Sequence, residues 1–131
     1  MNPGSDNLML YVLKEEFSVC KVEDYSRVDV GRPFVFTGST DEERSLVCPT
    51  VLVPADAVAR SDGWRAFRIE GVLDFSLVGI LSKISGLLAG AGIGIFAVST
   101  FNTDYIMTRA EDLEKALLVL LQAGYTIKQP E

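Results

Sequence analysis

Polar side chains concentrate directly after one apolar run of the chain. Ser99, Thr100 and Asn102 follow the apolar residues IFAV, and Asp104 comes two residues after the last of them. The hydroxyl and amide groups can donate and accept hydrogen bonds, whereas the carboxylate can accept them from an ammonium group or a basic side chain. These residue types therefore suit a small molecule that carries a positive charge.

The neighbouring apolar residues Phe101 and Ile106 would give such a molecule apolar contacts. A simpler explanation stays open, because Asn, Thr and Asp commonly hydrogen-bond to their own backbone and shape a hairpin turn. Asp104, in the sequence NTD, fits either the ligand site or the turn.

The glycines of the sequence GAGIG, residues 90–94, share only their composition with a phosphate-binding loop. A phosphate-binding loop runs from a strand into the start of a helix. These glycines run from the end of a predicted helix into a predicted strand, so that Gly90 or Gly92 ends the helix. We therefore expect no nucleotide site at this position.

The sequence contains no histidine. This absence excludes serine or cysteine nucleophiles activated by histidine, and metal sites with histidine ligands. No two acidic residues have a spacing that predicts a catalytic pair, and the acidic runs DEER and EDLE lack the regular spacing of a calcium loop. The sequence therefore predicts neither catalysis nor a metal or cofactor.

The charge of the chain argues against polyanionic partners. Its 18 acidic and 12 basic residues give a net charge of −6, which repels nucleic acid and acidic membrane surfaces. Arg65 and Arg68 beside Phe67 would suit a nucleic-acid-binding sheet, but the strand IGIFAVS lacks the aromatic residues of such sheets. We expect neither nucleic acid nor a membrane as a partner.

The N-terminal residues 1–7 are polar and predict a flexible tail instead of a signal peptide. No apolar segment is long enough to span a membrane, so we expect a soluble, cytoplasmic protein. Cys20 and Cys48 lie in apolar runs, which favours buried free thiols over a disulfide between them.

The N-terminal half has the pattern of β-structure. Apolar residues between Leu8 and Val22 predict one long bent strand or two short strands. Two β-branched and aromatic runs, residues 32–39 and 45–54, flank the charged sequence TDEER and predict a hairpin. Residues 24–32 are too few and too polar for a helix.

The C-terminal half alternates strands and helices. After a strand at residues 64–73, apolar residues at spacings of three and four predict a helix over residues 77–91. Two strands and a second helix, Ala110 to Ala123, come next, and Thr108 and Glu111 form a capping box for that helix. The sequence YTI predicts a last strand.

The apolar residues Leu118 and Val119 lie outside the core stripe of the second predicted helix. They indicate a second packing layer, a partner chain, or ordinary exposed apolar residues.

Residues 64–127 therefore have the order strand, helix, strand, strand, helix, strand. This is the α+β, ferredoxin-like βαββαβ plan, in which two helices cover one face of a four-stranded antiparallel sheet. The plan supports many functions and decides none.

The segment from Gly71 to Tyr125 resembles the ACT domain family of amino-acid-binding regulatory modules. The resemblance depends on the helix opening LVGIL, the strand AGIGIFAVSTF, the turn TDY and the second helix opening EDLEKAL. It is strongest to the branch that includes the cytosolic arginine sensors and many small bacterial proteins with two ACT units.

The N-terminal half is similar to the same plan, with a strand, a turn, a strand and a helix start. This similarity implies two tandem copies: a degenerate ACT-like unit at residues 8–60, which has lost most of its first helix, and an ACT domain at residues 61–131.

The resemblance implies a ligand site where the first strand turns into the first helix, and at an interface between modules. Leu77, Val78, Gly79 and Ile80 would offer unpaired amides and a helix dipole to a carboxylate, while Asp104 would accept an ammonium group. Gly79 has the alternative role of letting the helix pack closely. The predicted ligand-binding residues are Leu77, Val78, Gly79, Ile80, Ser99, Thr100, Phe101, Asn102, Asp104 and Ile106.

The resemblance also implies a regulatory protein without catalysis, a homodimer that binds a free amino acid or similar metabolite. The alternative is a protein interaction or dimerisation module that has lost ligand binding.

Overall fold

The computed structural model describes residues 8–70 and 79–130. Within them lie eight strands: β1 Met9–Val12, β2 Phe17–Val22, β3 Phe36–Ser39, β4 Arg44–Pro49, β5 Ala59–Ile69, β6 Ile95–Ser99, β7 Asp104–Arg109 and β8 Thr126–Lys128. The helices are α1 Ile80–Gly90 and α2 Leu113–Gln122, and short 3-10 turns cover Thr50–Leu52 and Ala110–Asp112. Neither helix is long and apolar enough to cross a membrane within the described ranges.

The described residues divide into two compact units. Residues 8–14, 65–70 and 79–130 form the helical unit, and residues 15–64 form the strand unit. The division lies within β5, between Trp64 and Arg65. Residues 8–14 belong to the helical unit, because β1 pairs with β5 and β8 of that unit.

Strand β1 lies between β5 and β8. It pairs antiparallel with β5, where Leu10 is opposite Ile69, and parallel with β8, where Leu10 is opposite Ile127. On the other side of β5 lies β7, which pairs antiparallel with β6. The helical unit thus has a fifth strand and a parallel pair instead of the predicted four-stranded antiparallel sheet.

The core of the helical unit lies between the two helices and one face of its sheet. Strand residues two apart share a face, and Leu10, Val12, Phe67, Ile69 and Ile106 are fully buried on the face that the helices cover. The helices contribute Ile84, Leu88, Leu113, Ala116, Leu117 and Leu120. This packing confirms the α+β class and the predicted helical periodicity.

Of the surplus apolar residues on α2, Val119 packs partly against the core. Leu118, by contrast, is 55% exposed. The spacing of apolar residues predicts Leu121 in the core stripe, but this prediction is wrong, because Leu121 is 53% exposed. The helix therefore keeps an apolar surface that the described residues leave open.

Glycine ends both helices. At the end of α1 the N–H of Gly92 donates to the carbonyl of Ala89, and the N–H of Ile93 donates to that of Leu88. Gly92 has a φ of 77°, which L-residues with a side chain rarely adopt. This is the Schellman arrangement, and it confirms that the glycine closes a helix.

The predicted capping box of α2 is wrong. Strand β7 continues through Arg109, so the buried Thr108 lies within the sheet, where its hydroxyl donates to the carbonyl of Arg109 at 3.0 Å. The turn Ala110–Asp112 comes before α2, and its cap has no side-chain hydrogen bond. Glu111 and Asp112 favour the helix start through their negative charge.

The strand unit is antiparallel, with the order β3, β4, β2 and residues 59–64 of β5. The hairpin of β3 and β4 encloses the predicted charged turn, and residues 24–32 form no helix, as expected. Its buried core contains Cys20, Val22, Leu46 and Cys48.

Both cysteines are free thiols, as predicted, and both are buried. Burial disfavours the thiolate and raises the pKa of Cys20. Burial and the neighbouring Cys20 raise the pKa of Cys48 from 9.0 to about 11. The fold therefore stabilises the protonated form of both thiols.

We expect Leu10→Ala to lower the free energy of unfolding by about 2–5 kcal/mol, because it removes a fully buried side chain of β1. Met9→Ala is the matched control, since Met9 is 38% exposed on the same strand, and it should cost about 0.5 kcal/mol. Urea unfolding followed by far-UV circular dichroism measures both. Equal small effects would contradict the placement of β1.

The raised pKa of Cys48 gives a pH dependence. The protonated Cys48 thiol contributes its full stabilisation of the folded state below the unfolded-state pKa, near 9. This stabilisation is lost as the pH rises through the folded-state pKa of about 11. Between pH 8 and pH 11 the wild type should therefore lose about 2 kcal/mol more than Cys48→Ala. Urea titrations of both proteins test this difference, and parallel pH profiles would contradict it.

Candidate functional site

The tip between β6 and β7 is a closed four-residue turn. The backbone N–H of Thr100 donates to the carbonyl of Thr103 at 2.8 Å, and the hydroxyl of Thr100 donates to the same carbonyl at 3.0 Å. The N–H of Thr103 donates to that hydroxyl at 3.4 Å. The two threonines therefore shape the turn.

Asp104 has a different contact at the base of this hairpin. Ser99 and Asp104 are opposite each other in the β6–β7 ladder, and the Ser99 hydroxyl donates to Asp104 Oδ1 at 2.6 Å. In the described part of the chain, Asp104 forms no ion pair and its Oδ2 has no hydrogen bond. The half-buried carboxylate is thus oriented by one neighbour and retains an acceptor oxygen for another group.

A buried hydrogen bond connects this hairpin to the end of β5. Thr103 is only 8% exposed, and its hydroxyl donates to the carbonyl of Ile69 at 2.7 Å. Ile69 is the last residue of β5, the strand that leads towards α1. The hairpin is therefore fixed beside the point where the chain leaves the sheet for the helix.

The helix start itself is described from Gly79 onwards, so Leu77 and Val78 lie outside the described residues. Gly79 is the N-cap of α1 with a φ of 88°, and its carbonyl accepts the N–H of Lys83 at 2.8 Å. A Cβ at Gly79 would meet no atom within 4 Å among the described residues. Backbone conformation, and not close packing, is therefore the structural reason for glycine here.

The other predicted residues differ in accessibility. Ser99, Thr100 and Asn102 are exposed, and Phe101 at the tip is 81% exposed. Ile80 packs partly against the core. Ile106 is fully buried there, so it has no surface for the predicted ligand contact. Its role is to support β7 from beneath, because its side chain alternates onto the core face.

A cleft of about 280 Å³ lies beside the hairpin. It contains Thr100 and Asn102 of the predicted residues, and also Arg68, Ile69, Glu70, Thr103 and Tyr105. Within the described ranges no three candidate metal ligands lie together. Polar and charged side chains therefore line most of the cleft.

Arg68 is the central charge of this cleft. Its guanidinium lies 3.3 Å from Glu70 Oε2, donates to the Tyr105 hydroxyl at 3.3 Å, and lies 5.0 Å from the ring centre of Tyr11. Burial favours a lower pKa for Arg68, but Tyr105 and Glu70 raise it above the ordinary value. Arg68 therefore stays charged.

Sequence reasoning missed Arg68, Glu70 and Tyr105 as neighbours of the hairpin. The alternation along β5 was the available signal: Phe67 and Ile69 are core residues, so Arg68 and Glu70 must face the other way. The pairing of β5 with β7, which brings Tyr105 to Arg68, depends on tertiary structure.

The strand unit contains a second hairpin with the same hydrogen bonds. The N–H and hydroxyl of Thr40 both donate to the carbonyl of Glu43, and the N–H of Glu43 donates to the Thr40 hydroxyl. Ser39 is opposite Arg44 at its base, as Ser99 is opposite Asp104. The two hairpins thus share their geometry and carry opposite charges at one position.

Residues 59–122 match the ACT domain. Residues 59–122 of this chain belong to the ACT domain family. ACT domains are regulatory ligand-binding modules, and the match includes α1, the β6–β7 hairpin and α2.

Several known proteins are similar to this ACT protein. The human cytosolic arginine sensor for mTORC1 subunit 1 is 35% identical over 71 residues, which are 51% of this chain and 22% of the sensor. The rat protein of the same name is 31% identical over 83 residues, 59% of this chain and 25% of its own length. The chain thus spans about a quarter or less of the curated relatives it matches.

Solved structures of other proteins agree with the fold. A crystal structure of an Agrobacterium tumefaciens protein is 31% identical, with a TM-score of 0.84 over 95% of this chain and 94% of that one. The ligand-free regulatory subunit of aspartate kinase from Thermus thermophilus has a TM-score of 0.60 and covers 87% of this chain and 95% of its own. At 12% identity this second structure supports the fold alone.

We expect Thr103→Val to lower the free energy of unfolding by about 1–3 kcal/mol, because it removes the buried hydroxyl that donates to Ile69. Thr126→Val is the control, since Thr126 is an exposed strand residue, and it should change stability by about 0.5 kcal/mol or less. Urea titration compares the two variants. A neutral Thr103→Val would show that this bond does not fix the hairpin.

Proposed function

We propose that this chain is a regulatory protein without catalytic activity that binds a free amino acid, with Asp104 as the acceptor for an ammonium group or a basic side chain. The main support for this proposal is the Ser99–Asp104 contact. It orients the carboxylate and leaves Oδ2 without a partner in the described part of the chain. A charged acceptor held in this way forms strong hydrogen bonds with a cationic donor.

The opposite pole of the proposed site is the turn into α1. The first N–H groups of a helix have no partner within the helix, and the helix dipole favours a carboxylate there. We assign this role to the backbone of Leu77, Val78, Gly79 and Ile80. The bond from Thr103 to Ile69 supports the proposal, because it holds the hairpin beside the strand that leads to this turn.

The exposed hairpin tip would complete the site. Thr100 and Asn102 supply uncharged hydrogen-bonding groups, and the exposed ring of Phe101 supplies apolar contact. These groups would become ordered around the ligand. The regulatory response would follow because the ordered and the unordered state of the protein bind the ligand with different affinities.

L-arginine is the first ligand to test. Relatives that are 35% identical over 71 residues are named cytosolic arginine sensors, and a carboxylate suits a guanidinium through paired hydrogen bonds. The identity concerns about half of this chain.

We further propose that the strand unit is a degenerate second ACT copy, with one L-arginine site per chain as the consequence. The matching hydrogen bonds of the two hairpins support common ancestry. Arg44 takes the position of Asp104 in that hairpin and would repel a cationic ligand group. We also propose a homodimer, for which the exposed Leu118 and Leu121 offer apolar surface.

Saturating L-arginine should raise the melting temperature of the wild type, because a ligand at about 100 times its Kd stabilises the fold by about 2.7 kcal/mol. Asp104→Asn keeps the shape and removes the charge, so the affinity should fall about tenfold or more. Asp41→Asn, in the exposed turn of the other hairpin, is the matched control and should behave as the wild type.

The outcome decides between the two functions. If none of the twenty amino acids shifts the melting temperature, the ligand-binding proposal is wrong and an interaction module is favoured. The exposed Leu118 and Leu121 are the observation on which that alternative depends.

Isothermal titration calorimetry should give one L-arginine per chain. The reason is the charge of Arg44, which the second hairpin presents where the first presents Asp104. Two equivalent sites per chain would contradict the degenerate copy.

A further inference from the structure

The helical unit has a second cleft, of about 580 Å³, within the size range of ligand pockets. Arg65, Glu111 and Glu114 line it together with Leu113 and Leu117. Arg65 precedes Ile69 by four residues of extended strand, a separation of about 13 Å along β5. The second cleft is therefore distinct from the hairpin cleft.

The positive group of the second cleft has unused donors. One terminal nitrogen of Arg65 donates to the carbonyl of Leu13 at 2.9 Å, which anchors the guanidinium. Its Nε is buried and has no hydrogen-bond partner in the part of the chain that the structure describes. A guanidinium has five N–H donors, and the bond to Leu13 occupies one of those of Arg65 within the described ranges.

The negative groups of the cleft are not paired with that guanidinium. Glu111 and Glu114 are exposed at the start of α2, and no ion pair joins either of them to Arg65 among the residues described. Leu113 and Leu117, which are 8% and 5% exposed, give the cleft an apolar wall. Separate positive, negative and apolar groups thus line one cavity.

We infer that this cleft binds the zwitterion of an amino acid with an apolar side chain. Its carboxylate would accept hydrogen bonds from Arg65, its ammonium group would lie against Glu111 and Glu114, and its side chain would contact Leu113 and Leu117. A simple anion would face two carboxylates, and a simple cation would face the guanidinium. A zwitterion offers a carboxylate to the guanidinium and an ammonium group to the two carboxylates.

L-leucine is the probe for this site, used with the full chain in solution. Addition of L-leucine should shift the Arg65 Nε–Hε resonance in ¹H–¹⁵N spectra, together with the amide resonances of Leu113 and Leu117. Loss of the side-chain resonance in Arg65→Lys assigns it. Spectra that do not change at millimolar L-leucine would overturn the inference.

Charge-neutral variants test the roles of the side chains. The double variant Glu111→Gln and Glu114→Gln changes only exposed groups, so it should fold, and its affinity for L-leucine should fall about tenfold or more. Its control is Asp41→Asn with Glu42→Gln, also exposed, which should bind as the wild type. Wild-type affinity in the first variant would overturn the inference.

Two analogues of the probe separate the charges. N-acetyl-L-leucine lacks the ammonium group and L-leucinamide lacks the carboxylate, so each should bind about tenfold more weakly than L-leucine. The double variant of Glu111 and Glu114 should bind N-acetyl-L-leucine with the same affinity as the wild type, because this compound has no ammonium group. Equal affinities of the three compounds would overturn the assigned roles.

Asp104→Asn separates this inference from the proposed function. Asp104 does not line the second cleft, so this variant should bind L-arginine about tenfold or more weakly and bind L-leucine as the wild type does. If L-arginine does not bind, the inference about the second cleft still stands. If L-leucine does not bind, the proposed L-arginine site still stands. Loss of L-leucine binding in Asp104→Asn would overturn the second site.

Discussion

The helical unit depends on the insertion of β1 between β5 and β8. Leu10 and Val12 fill the centre of the core, and the backbone of β1 hydrogen-bonds to both neighbours. Without β1, β8 would lose its strand partner, since β8 pairs with β1 and not with β5. The sheet in turn supports α1, α2 and the hairpin that carries Asp104. A short N-terminal strand thus maintains a site that lies far along the sequence.

Local patterns in the sequence were sufficient to predict most helices and strands. The apolar spacing predicted α1 and α2, and the glycines marked their ends correctly, because amphipathic periodicity and left-handed caps are local properties. The location of β1 was not predictable from such patterns, since pairing of distant strands leaves no local signal. The capping box at Thr108 was wrong because tertiary pairing extended β7 over a motif that otherwise favours a helix start.

The candidate site was predictable in part for the same reason. Ser99 and Asp104 stood out as polar residues after an apolar run, and the structure brings them into direct contact. Arg68 and Tyr105 became neighbours of the hairpin only through the pairing of β5 with β7. Ile106 was wrongly predicted to contact the ligand, because the residue type alone does not distinguish a ligand contact from a core residue.

The two hairpins illustrate how one backbone can carry different chemistry. Threonine at the first tip position closes each turn through the same hydrogen bonds, whether Asp104 or Arg44 stands at the base. The turn is thus independent of the charge.

The position of β1 also affects how the molecule is made. Met9 pairs with Thr126, which lies far later in the sequence. Closing so long a loop is entropically costly and slows folding. During synthesis the edge of β1 that pairs with β8 therefore stays open to unwanted association until β8 has left the ribosome.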